Sequence, residues 1–137
     1  MTAPLREIWR VARLKIAGSI ADGTKLAAGP QGESGGEGYV YTSADSGAMW
    51  TKHTVGNKGT WFVAITANDN RLLAANHRGY IYVSEYPWDV WTPLMGAGKH
   101  TWYSIAASAD GTVMTAGTYG DYVYTSTSSR PTSSWSS

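Results

Sequence analysis

Gly38-Tyr39-Val40-Tyr41-Thr42-Ser43-Ala44-Asp45-Ser46-Gly47-Ala48-Met49-Trp50 is the stretch from which the rest of the chain can be read. Tyr39 to Thr42 are β-branched or aromatic, the side chains a packed strand favours. Asp45-Ser46-Gly47 is turn chemistry, because Asp bonds its carboxylate to nearby backbone N–H groups and Gly accepts a positive φ without steric cost. Trp50 then offers a large apolar anchor. The stretch predicts a strand, a tight turn and the start of a second strand.

Working outward, the same pieces recur. The strand triplet returns as Tyr80-Ile81-Tyr82 and Tyr122-Val123-Tyr124, at spacings of 41 and 42 residues. Upstream of each triplet lies a run of small residues ending in turn formers: 16–23 with Asp22-Gly23, 63–70 with Asp69-Asn70, and 104–111 with Asp110-Gly111. Each predicts a strand closed by a two-residue hairpin turn. A second strand follows over 25–28, 71–75 and 113–116, then a loop that is long and Gly-rich at 29–38 and short in the later copies. The turn after the triplet changes from copy to copy. Ser84 and Trp91 keep their places in the second, but Tyr86 and Trp88 stand where the first has Asp45 and Gly47. In the third, Ser126 is followed by Ser128, Arg130 and Pro131, and Trp135 comes two residues late.

The pattern Ser43-x-Asp45-x-Gly47-x-x-Trp50 resembles the Asp-box of the BNR family, whose hairpins recur in sialidases and related β-propellers. A unit of about 41 residues with four strands is also the period of a propeller blade. The fold expected is therefore all-β, a propeller of four-stranded antiparallel blades, three per chain. Residues 1–137 form one domain: 1–15 a closing strand, 16–56 blade 1, 57–97 blade 2, and 98–137 a third blade lacking its outer strand. The unassigned segment 6–14, with Ile8, Trp9 and Val11, is the natural candidate for that missing strand.

Three blades do not close a ring, since propellers use about 4–8. A three-blade arc would expose two apolar sheet faces and a bare edge, which are association surfaces. Two arcs related by a two-fold axis remove both problems. The sequence thus predicts a homodimer forming a six-bladed ring by exchange of N-terminal strands, with Ile8, Trp9, Val11 and Trp135 at the seam. Three copies giving nine blades is the second arrangement, and a fragment of a longer propeller is the competing account.

Composition bounds the function. The chain has 137 residues, a net charge of +1 and no cysteine, with 16 Gly, 9 Tyr, 7 Trp and one Phe. No global field draws it to nucleic acid. Disulfides and thiolate metal sites are excluded. No apolar run approaches the roughly 20 residues that cross a bilayer as a helix, and the opening residues lack the apolar core of a signal peptide. The basic residues Arg6, Arg10, Arg13 and Lys15 read as guards of a strand edge.

The resemblance implies a glycosidase only if an arginine triad, a Tyr/Glu nucleophile pair and an acidic Asp can be found. Arg6, Arg10, Arg13, Arg71, Arg78 and Arg130 occupy no repeated positions that would form the triad. Asp22, Asp69 and Asp110 sit at equivalent turns and read as turn formers, as does Asp45. His53, His77 and His100 lack ligand spacing, so neither metal nor cofactor is expected. Gly-rich 29–36 lacks the Lys of a phosphate loop. Aromatic loop residues are better candidates: Tyr86, Trp88, Tyr119 and Trp102, with Asn76, His77 and Arg78 beside them, could stack on sugars and bond hydroxyls. Trp61 and Trp102 hold matched strand positions and read equally well as core. The functional expectation is a non-catalytic scaffold or binding module that partners itself. A lectin-like glycan binder is the alternative, and a sialidase-like glycosidase a distant third.

Overall fold

The Tyr-hydrophobe-Tyr triplets enter strands in all three copies. The computed structural model describes residues 2–4, 14–20, 22–30, 39–56, 61–66, 70–128 and 134–137. They form twelve strands: β1 Thr2–Pro4, β2 Leu14–Ser19, β3 Leu26–Pro30, β4 Val40–Ser43, β5 Met49–His53, β6 Trp61–Ile65, β7 Leu72–Asn76, β8 Ile81–Ser84, β9 Thr92–Pro93, β10 Trp102–Ala107, β11 Met114–Thr118 and β12 Val123–Ser126. Every pairing is antiparallel. The first sheet has the order β1-β5-β4-β3-β2, the second β6-β7-β8-β9 and the third β10-β11-β12. Among the described residues there is no α-helix, only a 3-10 turn at Met95–Ala97.

Register makes the repeat explicit. Ala28 pairs with Tyr41, Ala74 with Tyr82 and Ala116 with Tyr124. The two tyrosines of each triplet stand on one face and meet edge-on, with centroids 6.5, 6.5 and 6.4 Å apart. The hairpins that open each sheet differ from the two-residue turns expected. Ile20 N–H donates to Lys25 O and Ser108 N–H to Val113 O, closing loops of four residues. Asp22 and Asp110 accept from the backbone and hydroxyl of Thr24 and Thr112, which widens the turn. Gly23 and Gly111 then take φ near +70°, and Asn70 takes φ 52° at the matching position.

Each sheet buries one face against the next. Ala27 and Val40 of the first meet Trp61, Val63, Leu72 and Ala74 of the second, with Val55 and Trp88 completing the layer. Leu73, Ile81 and Val83 on the other face of the second meet Trp102, Met114 and Ala116 of the third, with Leu94 and Ala97. Burial of each such aliphatic side chain stabilises by about 1.5–3 kcal/mol. The first and second sheets come so close that a methyl on Gly29 would overlap the carbonyl of Trp61.

The two ends of this row are unlike. The third sheet's outer face carries Thr115, Gly117, Val123 and Thr125, and Val123 is 63 % exposed. The equivalent residues of the inner sheets, Val40 and Ile81, are 0 % exposed. At the other end, Ala28, Tyr41 and Trp50 on the far face of the first sheet are already buried within the chain. The expectation of two open faces therefore holds at one end only.

At the N-terminus, Thr2, Ala3 and Pro4 pair with Thr51, Trp50 and Met49 of the same chain, extending the free edge of the first sheet, while residues 6–13 of the segment expected to complete the third sheet lie outside the described residues. Leu14 and Lys15, assigned to the closing segment, belong to β2 and pair with Pro30 and Gly29. Ile8, Trp9 and Val11 lie outside the described residues. At the other terminus, Thr125 and Ser136 exchange both backbone hydrogen bonds, placing one rung of a fourth strand beside β12. Trp135 packs into the core between the second and third sheets, 6.4 Å from Trp102 between centroids. Expected at a seam between chains, it makes these contacts within one.

Candidate functional site

The Ser43–Trp50 turn is held by its marked residues. Ser43 Oγ donates to Asp45 Oδ1 (2.8 Å) and accepts from Gly47 N–H (2.9 Å). Asp45 Oδ1 also accepts from Met49 N–H at 2.9 Å. Trp50 Nε1 donates to Gly47 O at 3.0 Å, pinning the indole beneath the turn. Gly47 takes φ +90°, a conformation with no cost only for glycine. The Met49 amide and the Ser43 hydroxyl hold the Asp45 carboxyl below the usual carboxylate range. Asp110 is lowered further, to about 2, by Ser108 and Thr112. Asp22 is lowered by Thr24. These carboxylates are acceptors committed to turns.

The seven candidate ligand residues do not form one site. Antiparallel connectivity puts the β8–β9 loop, with Tyr86 and Trp88, at one end of the sheets. The β7–β8 and β11–β12 loops, with Asn76, His77, Arg78 and Tyr119, lie at the other. Trp88 is 2 % exposed and belongs to the core between the first two sheets. Its Nε1 donates to Asn70 O at 2.7 Å. It offers no face to a ligand. Tyr86 is half exposed, edge-on to Trp88 at 5.2 Å and under the Lys25 ammonium at 5.3 Å. Trp102 is fully buried, its Nε1 donating to Gly79 O at 3.0 Å.

At the opposite end Asn76 is buried and acts as a turn former, its Oδ1 accepting from Arg78 N–H at 3.0 Å. His77 Nδ1 lies 3.3 Å from Trp102 O. Around it stands a row of rings: Phe62 to Tyr103 at 5.5 Å, Tyr103 to Tyr119 at 5.7 Å, and His77 edge-on to Tyr103 at 5.9 Å. Exposure rises along the row, from partly buried Phe62 to Tyr103 at 53 % and Tyr119 at 73 %.

Tyr103 is the residue that sequence reasoning missed. It occupies the place of Phe62 one repeat later, so the pair of aromatics was visible. Its outward aim was not. Trp102 pairs with Thr118 and Ser104 with Gly117, so Tyr103 is the extra residue of a β-bulge. A bulge breaks strict alternation and re-aims a side chain. Trp102 thereby stays in the core while Tyr103 leans onto the rim.

No group of three or more His, Cys, Asp or Glu side chains able to hold a metal occurs among the described residues. Compared with known proteins, the chain matches no family model, no curated protein and no solved structure.

Proposed function

We propose that this chain is a non-catalytic, propeller-type module of the Asp-box kind, three blades long, which works as a scaffold or binding unit by associating with a second copy of itself. The observation that carries the reading is the exposure of Val123. Val40 and Ile81 hold the same repeat position and are fully buried by the next sheet, whereas among the described residues Val123 has no next sheet. A face built like two interfaces and left uncovered is an association surface. The neighbouring Thr115, Gly117 and Thr125 are small enough for another sheet to approach closely, as Gly29 permits between the first two sheets. Two arcs would give six blades, with association running through the third sheet's face. Three of the described acids, Asp22, Asp45 and Asp110, support a non-catalytic reading, because they are spent on turn hydrogen bonds.

Light scattering on a sizing column tests this. The wild type should elute at twice the chain's 14.7 kDa, and Val123→Arg should shift it to the monomer with its β-sheet spectrum intact. A wild-type monomer at tens of micromolar overturns the reading. Glycan binding is the second reading, favoured by the exposed row of rings at Tyr103 and Tyr119.

A further inference from the structure

Among the described residues, exposed large apolar side chains gather on the third sheet and its loops: Tyr103, Val113, Tyr119, Tyr122 and Val123 are 46–73 % exposed. The open face beside them consists of Ser104 and Ala106 on β10, Thr115 and Gly117 on β11, and Val123 and Thr125 on β12. These six residues are small and uncharged. Tyr119 adds a large ring on the same side. It follows Thr118, which pairs with Trp102 as Asn76 pairs with Trp61, so it takes the place of His77 one repeat later. His77 leans toward the next sheet, with Nδ1 3.3 Å from Trp102 O and its ring edge-on to Tyr103. By the repeat, Tyr119 leans over the open face. Its backbone N–H donates to Thr101 O at 3.0 Å, so little of its chain remains to be ordered on binding.

We propose that the second copy docks third sheet to third sheet about a two-fold axis, the Tyr119 ring of each seated over Thr115 and Thr125 of the other, so that six sheets stand in an open row. The proposal rests on the self-association reading and fixes its geometry. Two faces of a second copy could answer the third sheet. A closed ring would use the far face of the first sheet, but Ala28, Tyr41 and Trp50 there are 0, 6 and 1 % exposed within one chain, so that face is already spent. The same open face of the second copy is bare. A two-fold contact needs a face that complements itself. A face of one sign would repel its own image, and these six residues are neutral. Their relief also runs in opposite senses at the two ends. Tyr119 stands beyond the rung of Gly117 and Val123, while Ala106, Thr115 and Thr125 leave a shallow area at the other end. With the strands of the two copies antiparallel, each ring meets the partner's shallow area. The rings are needed for size as well. Small residues on three strands about 4.8 Å apart fall short of the roughly 1,000 Å² of a stable contact. A buried tyrosine adds about 150–250 Å² and is a common anchor of interfaces.

The chain has no cysteine, so a single one can be introduced as a probe. Val123→Cys is sized by light scattering, then treated with a short bismaleimide, and peptide mapping locates the link. The expected result is a dimer joined from position 123 to position 123. A dimer without that link overturns the proposal, because in a closed ring the two copies of residue 123 lie at separate interfaces. Thr125→Cys, on the same face, repeats the test should the first variant run as a monomer. Tyr119→Ala and Thr115→Trp should each weaken dimerisation by about tenfold or more, while Tyr86→Ala, at the opposite end of the sheets, should leave it unchanged. Undiminished dimerisation in both Tyr119→Ala and Thr115→Trp overturns the geometry and leaves the self-association reading standing. A wild-type monomer removes both.

Discussion

Ser43 and Ser84 hold the same place in successive hairpins, and only Ser43 has its hydroxyl bonded. Ser43 Oγ links Asp45 Oδ1 to Gly47 N–H, whereas Ser84 Oγ is buried with no hydrogen-bond partner among the described residues. A buried polar group without a partner costs about what a bonded one contributes. Ser43→Ala should therefore lose about 1–2 kcal/mol, while Ser84→Ala should be neutral or gain up to about 1 kcal/mol. Urea unfolding of the two variants, side by side, decides it. Equal losses would mean that the hydroxyl at position 84 is satisfied after all.

Two further buried orphans belong to the same motif. Trp91 and Trp135 take the place of Trp50, and their Nε1 atoms have no partner among the described residues, whereas Trp50 Nε1 reaches Gly47 O. Loss of the Asp-x-Gly turn removes the carbonyl that the indole once met. Trp50→Phe should cost about 1 kcal/mol more than Trp91→Phe, the net worth of one hydrogen bond. Tm differences between each variant and the wild type report it, and the reverse order would show that packing, not the bond, distinguishes the two sites.

Trp88 shows how a lost turn is compensated. It adopts φ 67°, the left-handed conformation that Gly47 holds at φ 90° in the first copy. Such a conformation costs a non-glycine residue on the order of 1–3 kcal/mol. The indole offsets this by filling the core between the first two sheets. Trp88→Ala should lose about 3–5 kcal/mol, and Trp88→Gly should lose less than that, because relief of backbone strain partly offsets the missing ring. Tyr86→Ala, half exposed, should stay within about 0.5 kcal/mol. Chemical denaturation midpoints separate the three, and a tolerated Trp88→Ala would return Trp88 to the surface.

These comparisons show what a single sequence makes legible. Positions within alternating triplets, such as Val40, Ile81 and Val123, could be placed in strands because alternation and β-branching act locally. The core role open to Trp61 and Trp102 followed from the same phase. Tyr103 escaped because a bulge interrupts the phase, and Trp88 because the pattern there asks for glycine. Which end face is open, and where Thr2–Pro4 pairs, depend on contacts between distant segments that no local pattern encodes.

Gly29 lies where the backbones of two sheets meet. A Cβ there would run into the Trp61 carbonyl, which backbone atoms cannot yield without moving a strand. Gly29→Ala should destabilise by about 1–3 kcal/mol, the usual range for overpacking, and more if the sheets separate. Gly23→Ala, with open space around its Cβ site, makes the contrast: its cost comes only from φ +72°. If thermal melting showed the smaller loss at position 29, the close approach of the first two sheets would be wrong.

His53 couples the same interface to pH. It is buried at the end of β5, its Nε2 lies 2.7 Å from Thr42 Oγ1, and its ring faces Trp91 at 5.9 Å. Burial lowers its pKa below the usual 6.5, the nearby Asp89 carboxylate opposing that shift and the positive N-terminus adding to it. Above pH 6.5 the ring is neutral whether the chain is folded or not, so the full stability is present. As pH falls below 6.5 the unfolded chain takes up the proton first, and stability declines until the folded ring also titrates. Asp22, Asp45 and Asp110 do not interfere in this window, since all three are lowered from 3.8 and act only below it. His53→Gln, which keeps a hydrogen-bonding partner for Thr42, should flatten the decline between pH 6.5 and about 4.5, a range bounded by the ordinary His and Glu values. Urea midpoints across that range measure the slope, and an unchanged slope in the variant would assign the pH dependence to another group.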